Sequence, residues 1–222
     1  LNKELNDFSY VLRMYLNYFI ESTVKELIKQ SKITQIPPLN DNDIVVTFNY
    51  TNTYELFDSD TKIFHIHGNV NDEIVLGINP DKNDDIENIN TLFIPFKKYY
   101  QRAFYNTDVP YLRWMRDYID QEGGDKIIHL LVMGHSLDKT DEEVIRKLFD
   151  LSSEITILYH DKTAKSQYIY NLVQIFGKNQ FDQIRDEKRL EFLPLNMDFT
   201  EFSLNRSRSS TKAYETQLIN FI

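Results

Sequence analysis

The chain has 222 residues, 41% of them hydrophobic, with a formal net charge of −9 and a pI near 5.1. That length can bury a substantial core, while the acidic balance excludes the broad basic face that nucleic acid or anionic lipid would need. Cysteine is absent, which removes disulfides, thiolate catalysis and Cys-ligated zinc and fits a reducing, cytoplasmic setting. No window approaches the roughly twenty apolar residues of a spanning helix. Lys3, Glu4 and Asp7 stand where a secretory leader would be basic and then apolar.

From Leu1 to about Lys29, the residues Leu5, Phe8, Leu12, Tyr15, Leu16, Phe19 and Ile20 recur at three- and four-residue spacing, which predicts a helix with one buried face. Ser31 to Asp43, with Pro37-Pro38, reads as a connector. Apolar runs from Ile44 to Phe48, Ile63 to Ile66, Ile127 to Met133 and Ile155 to Tyr159 read as buried strands. After the first, Thr51 or Asn52 is placed to cap a short helix through Phe57. A further strand is expected over Glu73 to Ile78, and the polar stretch Asp81 to Asn90 reads as a surface excursion. Phe93 to Tyr105 and Tyr111 to Asp120 are aromatic-rich and helix-compatible, giving a helical insertion around residues 85–122 of the kind that often forms lids.

Beyond Met133 the pattern alternates: a helix from about Thr140 to Leu151, a helix from about Lys162 to Phe176, and a strand from Leu190 to Leu193. Such alternation predicts an α/β fold, here one domain over residues 1–222 with a mostly parallel, Rossmann-like sheet flanked by helices. Asn205 to Lys212, with Arg206, Arg208 and Lys212 among serines, reads as a solvated connector.

Three motifs stand where apolar runs stop: Phe48-Asn49-Tyr50-Thr51-Asn52-Thr53, His65-Ile66-His67-Gly68 and Gly134-His135-Ser136-Leu137. Ligands of open α/β sheets bind outside the carboxyl ends of strands, so the three are expected to make one ligand site. Asn49 can hold a water, a ribose hydroxyl or a carboxamide; the bland alternative is a turn Asn bonding its own backbone. Thr47, Tyr50 and Thr51 add polar density beside it. His67 before Gly68 suits a general base, and Gly68 allows a sharp turn or a close backbone approach. His65 would share a strand face with His67, and a structural imidazole bonded to a carbonyl is its preferred reading.

Gly134 and Ser136 read as nucleotide contacts, with His135 beside them, or Ser136 or Asp138 simply terminates a strand and leads to a helix, and Asp141 faces the site or simply opens that helix. A Gly-x-Ser-x-Gly hydrolase elbow is an alternative, but Asp138 occupies the second glycine position and only His160 would be left as base. Histidines 65, 67, 135 and 160 fall at or near strand ends, yet the sequence holds neither a helical His-Glu-x-x-His arrangement nor any cysteine pattern, and no metal is assigned.

The order Thr47-Phe48-Asn49-Tyr50-Thr51-Asn52-Thr53-Tyr54-Glu55, Ile66-His67-Gly68, then Gly134-His135-Ser136-Leu137 followed by Asp141 resembles the bacteriophage abortive infection AbiH family, over about Ile44 to Tyr159. More distantly it is similar to sirtuin-like NAD-binding domains. That likeness implies a sirtuin-like sheet in which Asn49 positions the nicotinamide ribose, His67 is the base, Thr47, Tyr50, Thr51, Gly68, Gly134, His135, Ser136 and Asp141 line the pocket, and NAD is cleaved to nicotinamide and an ADP-ribose product. Thr51 stands where the sirtuin-like pattern has Asp, and none of the six glycines forms a Gly-x-Gly phosphate loop. The resemblance with the start at Leu1 implies an N-terminally truncated protein lacking its first strand and Gly-rich loop, inactive as it stands. It also implies a phage-defence role, with a homo-oligomer or a defence-system partner. The competing class is a non-catalytic nucleotide-sensing or partner-binding module; a histidine-metal hydrolase ranks below both.

Overall fold

The computed structural model describes residues 2–30, 43–56, 60–78, 91–120, 128–195 and 216–220. The chain divides into two compact units, Leu1–Ile36 with Thr47–Leu112, and Pro37–Val46 with Arg113–Ile222. The first two motifs belong to the first unit and the third to the second.

In the first unit the opening periodicity produces a helix in three pieces: α1 (Asn2–Tyr15), a π-helical turn (Leu16–Glu21) and α2 (Ser22–Lys29). Its expected buried face is only half realised. Leu5, Leu12, Leu16 and Ile20 are half-buried, whereas Phe8, Tyr15 and Phe19 are exposed, the last two stacking on each other. The side chains that reach full burial are polar, Ser9 and Glu21.

Strand β1 (Ile44–Thr47) is buried throughout, as an apolar run without alternation predicts, and β2 (Lys62–His65) is only partly so. The Ile66 amide donates to the Thr47 carbonyl at 2.9 Å, laying the end of β2 beside the end of β1. Among the described residues no helix follows directly on β1. The Thr51 hydroxyl that could cap one bonds the Thr53 hydroxyl at 2.9 Å, the Asn52 amide donates to Glu21 at 2.7 Å, and residues 53–56 form turns.

Glu73 to Ile78 is likewise not a strand. Ile74 and Val75 are buried, but their neighbourhood is satisfied piecemeal. The Val75 amide donates to the His67 carbonyl, the Tyr50 hydroxyl to the Val75 carbonyl, and the Leu76 amide to Gln101 Oε1, and only Ile78 forms a bridge, with Lys97. The buried Gln101 carboxamide stands in for part of a neighbouring strand. The helical insertion appears as a 3₁₀ turn (Thr91–Phe96), α3 (Lys98–Tyr105) and α4 (Val109–Asp120). Asp81 to Asn90, read as a surface excursion, lies outside the described residues.

The second unit holds four parallel strands, β3 (His129–Met133), β4 (Glu154–Tyr159), β5 (Leu190–Pro194) and β6 (Thr216–Asn220), in the order β5-β4-β3-β6. The sequence had offered no sign of β6. The chain is thus an α/β protein with a parallel sheet flanked by helices. Leu131, Met133 and Leu158, with Leu193 against them, pack on one face, and burial along β3 and β4 is nearly continuous. A 3₁₀ turn (Lys139–Asp141) leads to α5 (Glu142–Leu151), whose buried Val144, Ile145, Leu148 and Phe149 form one stripe.

Helix α6 (Lys162–Asp186) packs on β4 and β5 and runs past the expected end at Phe176. The chain does leave helical geometry there, at Gly177 with φ 75° and ψ 160°, and then resumes. Arg146 donates to the Ile175 carbonyl at this break and lies 5.1 Å over the Phe176 ring. Arg189 closes the end of α5, donating to the carbonyls of Phe149 at 2.9 Å and Ser152 at 2.6 Å.

Asp161 caps α6 by accepting the Ala164 amide at 2.8 Å, and this bond, helped by His160, holds its carboxyl below the usual range. A depressed folded-state value means the capping contribution is present above the ordinary carboxylate range and lost as pH falls through the lowered one. Asp161→Asn keeps an acceptor that does not titrate, so the melting temperature of that variant should fall less steeply on acidification than the parent's. Asp161→Ala should melt lower than the parent already at neutral pH.

Candidate functional site

The turn after β1 is fastened from three directions. Its Asn52 amide donates to Glu21 Oε1 at 2.7 Å, reaching a carboxylate that the π-helical turn presents with a side chain only 5% exposed. The Tyr50 carbonyl accepts the Val70 amide at 2.7 Å and the Asn49 carbonyl faces His65 Nδ1 at 3.0 Å. Thr47 is buried and its hydroxyl accepts the Asn49 amide at 3.1 Å. A charge-assisted bond such as the one to Glu21 contributes about 1.5–3 kcal/mol, enough to hold one turn in one arrangement.

On this pinned turn the Asn49 side chain is half-buried and makes no hydrogen bond among the described residues. Its backbone is fully engaged while its carboxamide is on offer. Thr51 is occupied by Thr53, and the Tyr50 hydroxyl by Val75.

The two histidines of the second motif part company. Strand β2 ends at His65 and the chain turns through Ile66 and His67, so the two rings do not share a strand face as expected. His67 is 4% exposed, its ring edge-on to Phe48 at 5.3 Å and tilted against Tyr50 at 6.3 Å. His65, read from sequence as a structural imidazole on a carbonyl, does bond one, but it also meets Glu55 Oε1 at 2.7 Å through Nε2.

A cavity of about 390 Å³ opens beside His65, within the volume range of small-molecule sites. Gly68, Asn69, Asp72, Glu73, Tyr105 and Thr107 line it with His65, and among the described residues neither Lys nor Arg does. Arg13 of α1 reaches Glu73 at 3.5 Å. Burial, and then the Glu73 charge, raise the Tyr105 phenol above its ordinary value.

In the second unit, β3 ends in Gly134 at φ 72°, and Leu137, fully buried, also sits at positive φ, 53°. A left-handed Leu costs about 1–2 kcal/mol, a strain the surrounding bonds must hold. His135 Nδ1 accepts the Leu137 amide at 2.9 Å, which assigns the ring proton to Nε2, directed at Asp141 Oδ2 3.6 Å away. Asn171 of α6 donates to the Ser136 carbonyl at 2.8 Å. The Ser136 side chain is exposed and bonds no imidazole among the described residues, so the arrangement is not that of a serine hydrolase. Asp141 is buried, and the 3₁₀ turn it ends is capped by Asp138, which accepts the Thr140 amide.

Among the described residues no three His, Asp or Glu side chains are grouped to hold a metal ion. No described helix is long and apolar enough to cross a membrane. Glu21, Glu55 and Asn171 carried no individual weight in the sequence. Asn171 had a signal, a polar residue on the apolar stripe of Tyr168, Leu172 and Ile175, whereas Glu21 is brought inward only by the π-helical turn.

Fold and site together define an α/β protein in which polar turns at strand ends, one holding an unused carboxamide, are braced by buried side chains. The chain belongs to the family described as bacteriophage abortive infection AbiH, whose model matches residues 2–161. That span includes all three motifs, and membership points to a role in abortive infection. No curated protein and no solved structure matches the chain.

Gly68 has φ 72°, and a Cβ there would lie 1.8 Å from the Glu73 carbonyl oxygen. The close approach expected of this glycine is made to the protein's own backbone. At Gly177, by contrast, a Cβ would meet nothing within 4 Å. Gly177→Ala should therefore cost about 1–3 kcal/mol from backbone conformation alone, and Gly68→Ala distinctly more, as read by urea unfolding of the two variants.

Proposed function

We propose that this AbiH-family chain acts in phage defence by binding NAD or a related nucleotide at a sirtuin-like site, with Asn49 as the group that orients the nicotinamide ribose. The observation that supports this most is the Asn49 carboxamide, which has no partner among the described residues on a turn whose backbone is tied to Glu21, His65 and Val70. A site built to hydrogen-bond a ligand leaves its donors and acceptors unused when empty.

In the hydrolytic form of this reading, His67 takes a proton from water as that water adds to the ribose C1′. The bond to nicotinamide breaks with its electron pair on the leaving base, giving nicotinamide and ADP-ribose. Taken by itself, the second unit has Gly134, His135, the exposed Ser136 and Asp141 after β3, read as contacts for a nucleotide where parallel sheets receive ligands.

The burial of His67 against Phe48 and Tyr50 favours a second reading, a nucleotide sensor that does not turn over. NAD consumption and equilibrium NAD binding, measured on the parent, Asn49→Ala and His67→Ala, separate the two. A hydrolase loses turnover in both variants and loses binding mainly in Asn49→Ala. A sensor binds NAD without consuming it, and absence of binding in the folded parent contradicts both.

A further inference from the structure

His65 has too many acceptors for a neutral ring. Its Nδ1 lies 3.0 Å from the Asn49 backbone carbonyl and its Nε2 lies 2.7 Å from Glu55 Oε1. A carbonyl and a carboxylate only accept, while a neutral imidazole has a single N–H to give. Satisfying both contacts requires the pair to hold one proton more than a neutral ring beside a carboxylate.

We infer that His65 and Glu55 are positioning residues that share this extra proton, as imidazolium and carboxylate, and thereby lock the turn that presents Asn49. The His65 side chain is 8% exposed and that of Glu55 33%, so their charge-assisted bond is shielded from most of the solvent. Among the described residues, the other ionisable groups lining the cavity that His65 borders are Asp72, Glu73 and the Tyr105 phenol, with Arg13 engaged by Glu73 at 3.5 Å. The two donated bonds span the turn from its first residue to its last, since Asn49 and Glu55 flank Tyr50 to Tyr54. With a neutral ring, a lone pair on one nitrogen would face either the Asn49 carbonyl or the Glu55 carboxylate, and one end of the turn would lose its tie.

The connection to ligand binding rests on the nucleotide reading above; the proton does not. The direct test is NMR of the full chain with ¹⁵N-labelled histidine at pH 7, its five histidines assigned by single substitutions such as His65→Phe. The expected result is a His65 ring with protons on both nitrogens in the parent. In Glu55→Ala, which can neither accept from nor donate to Nε2, it should become a single neutral tautomer, with displaced Asn49 and Tyr50 amide signals but an unchanged near-UV spectrum. A neutral His65 in the parent overturns the inference, as does an imidazolium that persists in Glu55→Ala. In parallel, Glu55→Ala should weaken NAD binding about tenfold or more, the scale of one charge-assisted hydrogen bond. Unchanged NAD affinity alongside a lost imidazolium would overturn the positioning role. If the parent binds no NAD, the nucleotide reading falls and the protonation result alone decides this inference.

Discussion

A turn that forms neither helix nor strand must find partners for its backbone polar groups elsewhere, and the turn after β1 imposes that demand on the first unit. Its partners come from far along the chain. Glu21 reaches Asn52 from the π-helical turn, Val70 reaches Tyr50, and His65 reaches both Asn49 and Glu55. The pieces that look irregular follow from it. A π-helical turn brings a carboxylate inward, β2 stops at His65 instead of continuing to His67, and Gly68 turns so tightly that Glu73 lies against it. The result is a turn with a committed backbone and an uncommitted Asn49 side chain, an arrangement suited to holding a ligand without first having to order itself.

The second unit solves a related problem differently. The turn after β3 is held by its own His135, by Asn171 from α6 and by two left-handed residues, one of them the buried Leu137. Strain of this kind persists where the surroundings over-determine it, and it clusters at functional sites. The Leu137 amide, donating to His135 Nδ1, fixes the imidazole tautomer that leaves an Nε2–H toward Asp141. The Ser136 hydroxyl remains exposed at the strand's carboxyl end, where α/β sheets bind ligands.

Much of the fold was legible because burial on both faces leaves an unbroken apolar run, as in Ile44 to Val46 and Leu130 to Met133. The same signal misleads at Ile74 and Val75, where buried residues take their partners from Gln101, Tyr50 and His67 instead of a strand. Gly177 marked a real break in α6 but not its end, because Arg146 supports the broken turn and the helix continues. The helix expected after Asn52 does not form over residues 52–56, where the Thr51 hydroxyl that could have capped it pairs with Thr53. At the second motif, strict strand alternation put His65 and His67 on one face, and the end of β2 at His65 breaks that alternation.

The claim that the turn after β1 is preformed and braced by Glu21 is tested most directly by amide hydrogen exchange at Asn52 in the ligand-free chain. The account predicts that this amide is protected to the level of those in β1, and that Glu21→Ala abolishes the protection at Asn52 while leaving β3 and β4 unaffected. Exchange at Asn52 as fast as in an unstructured peptide, in the parent chain, would contradict it.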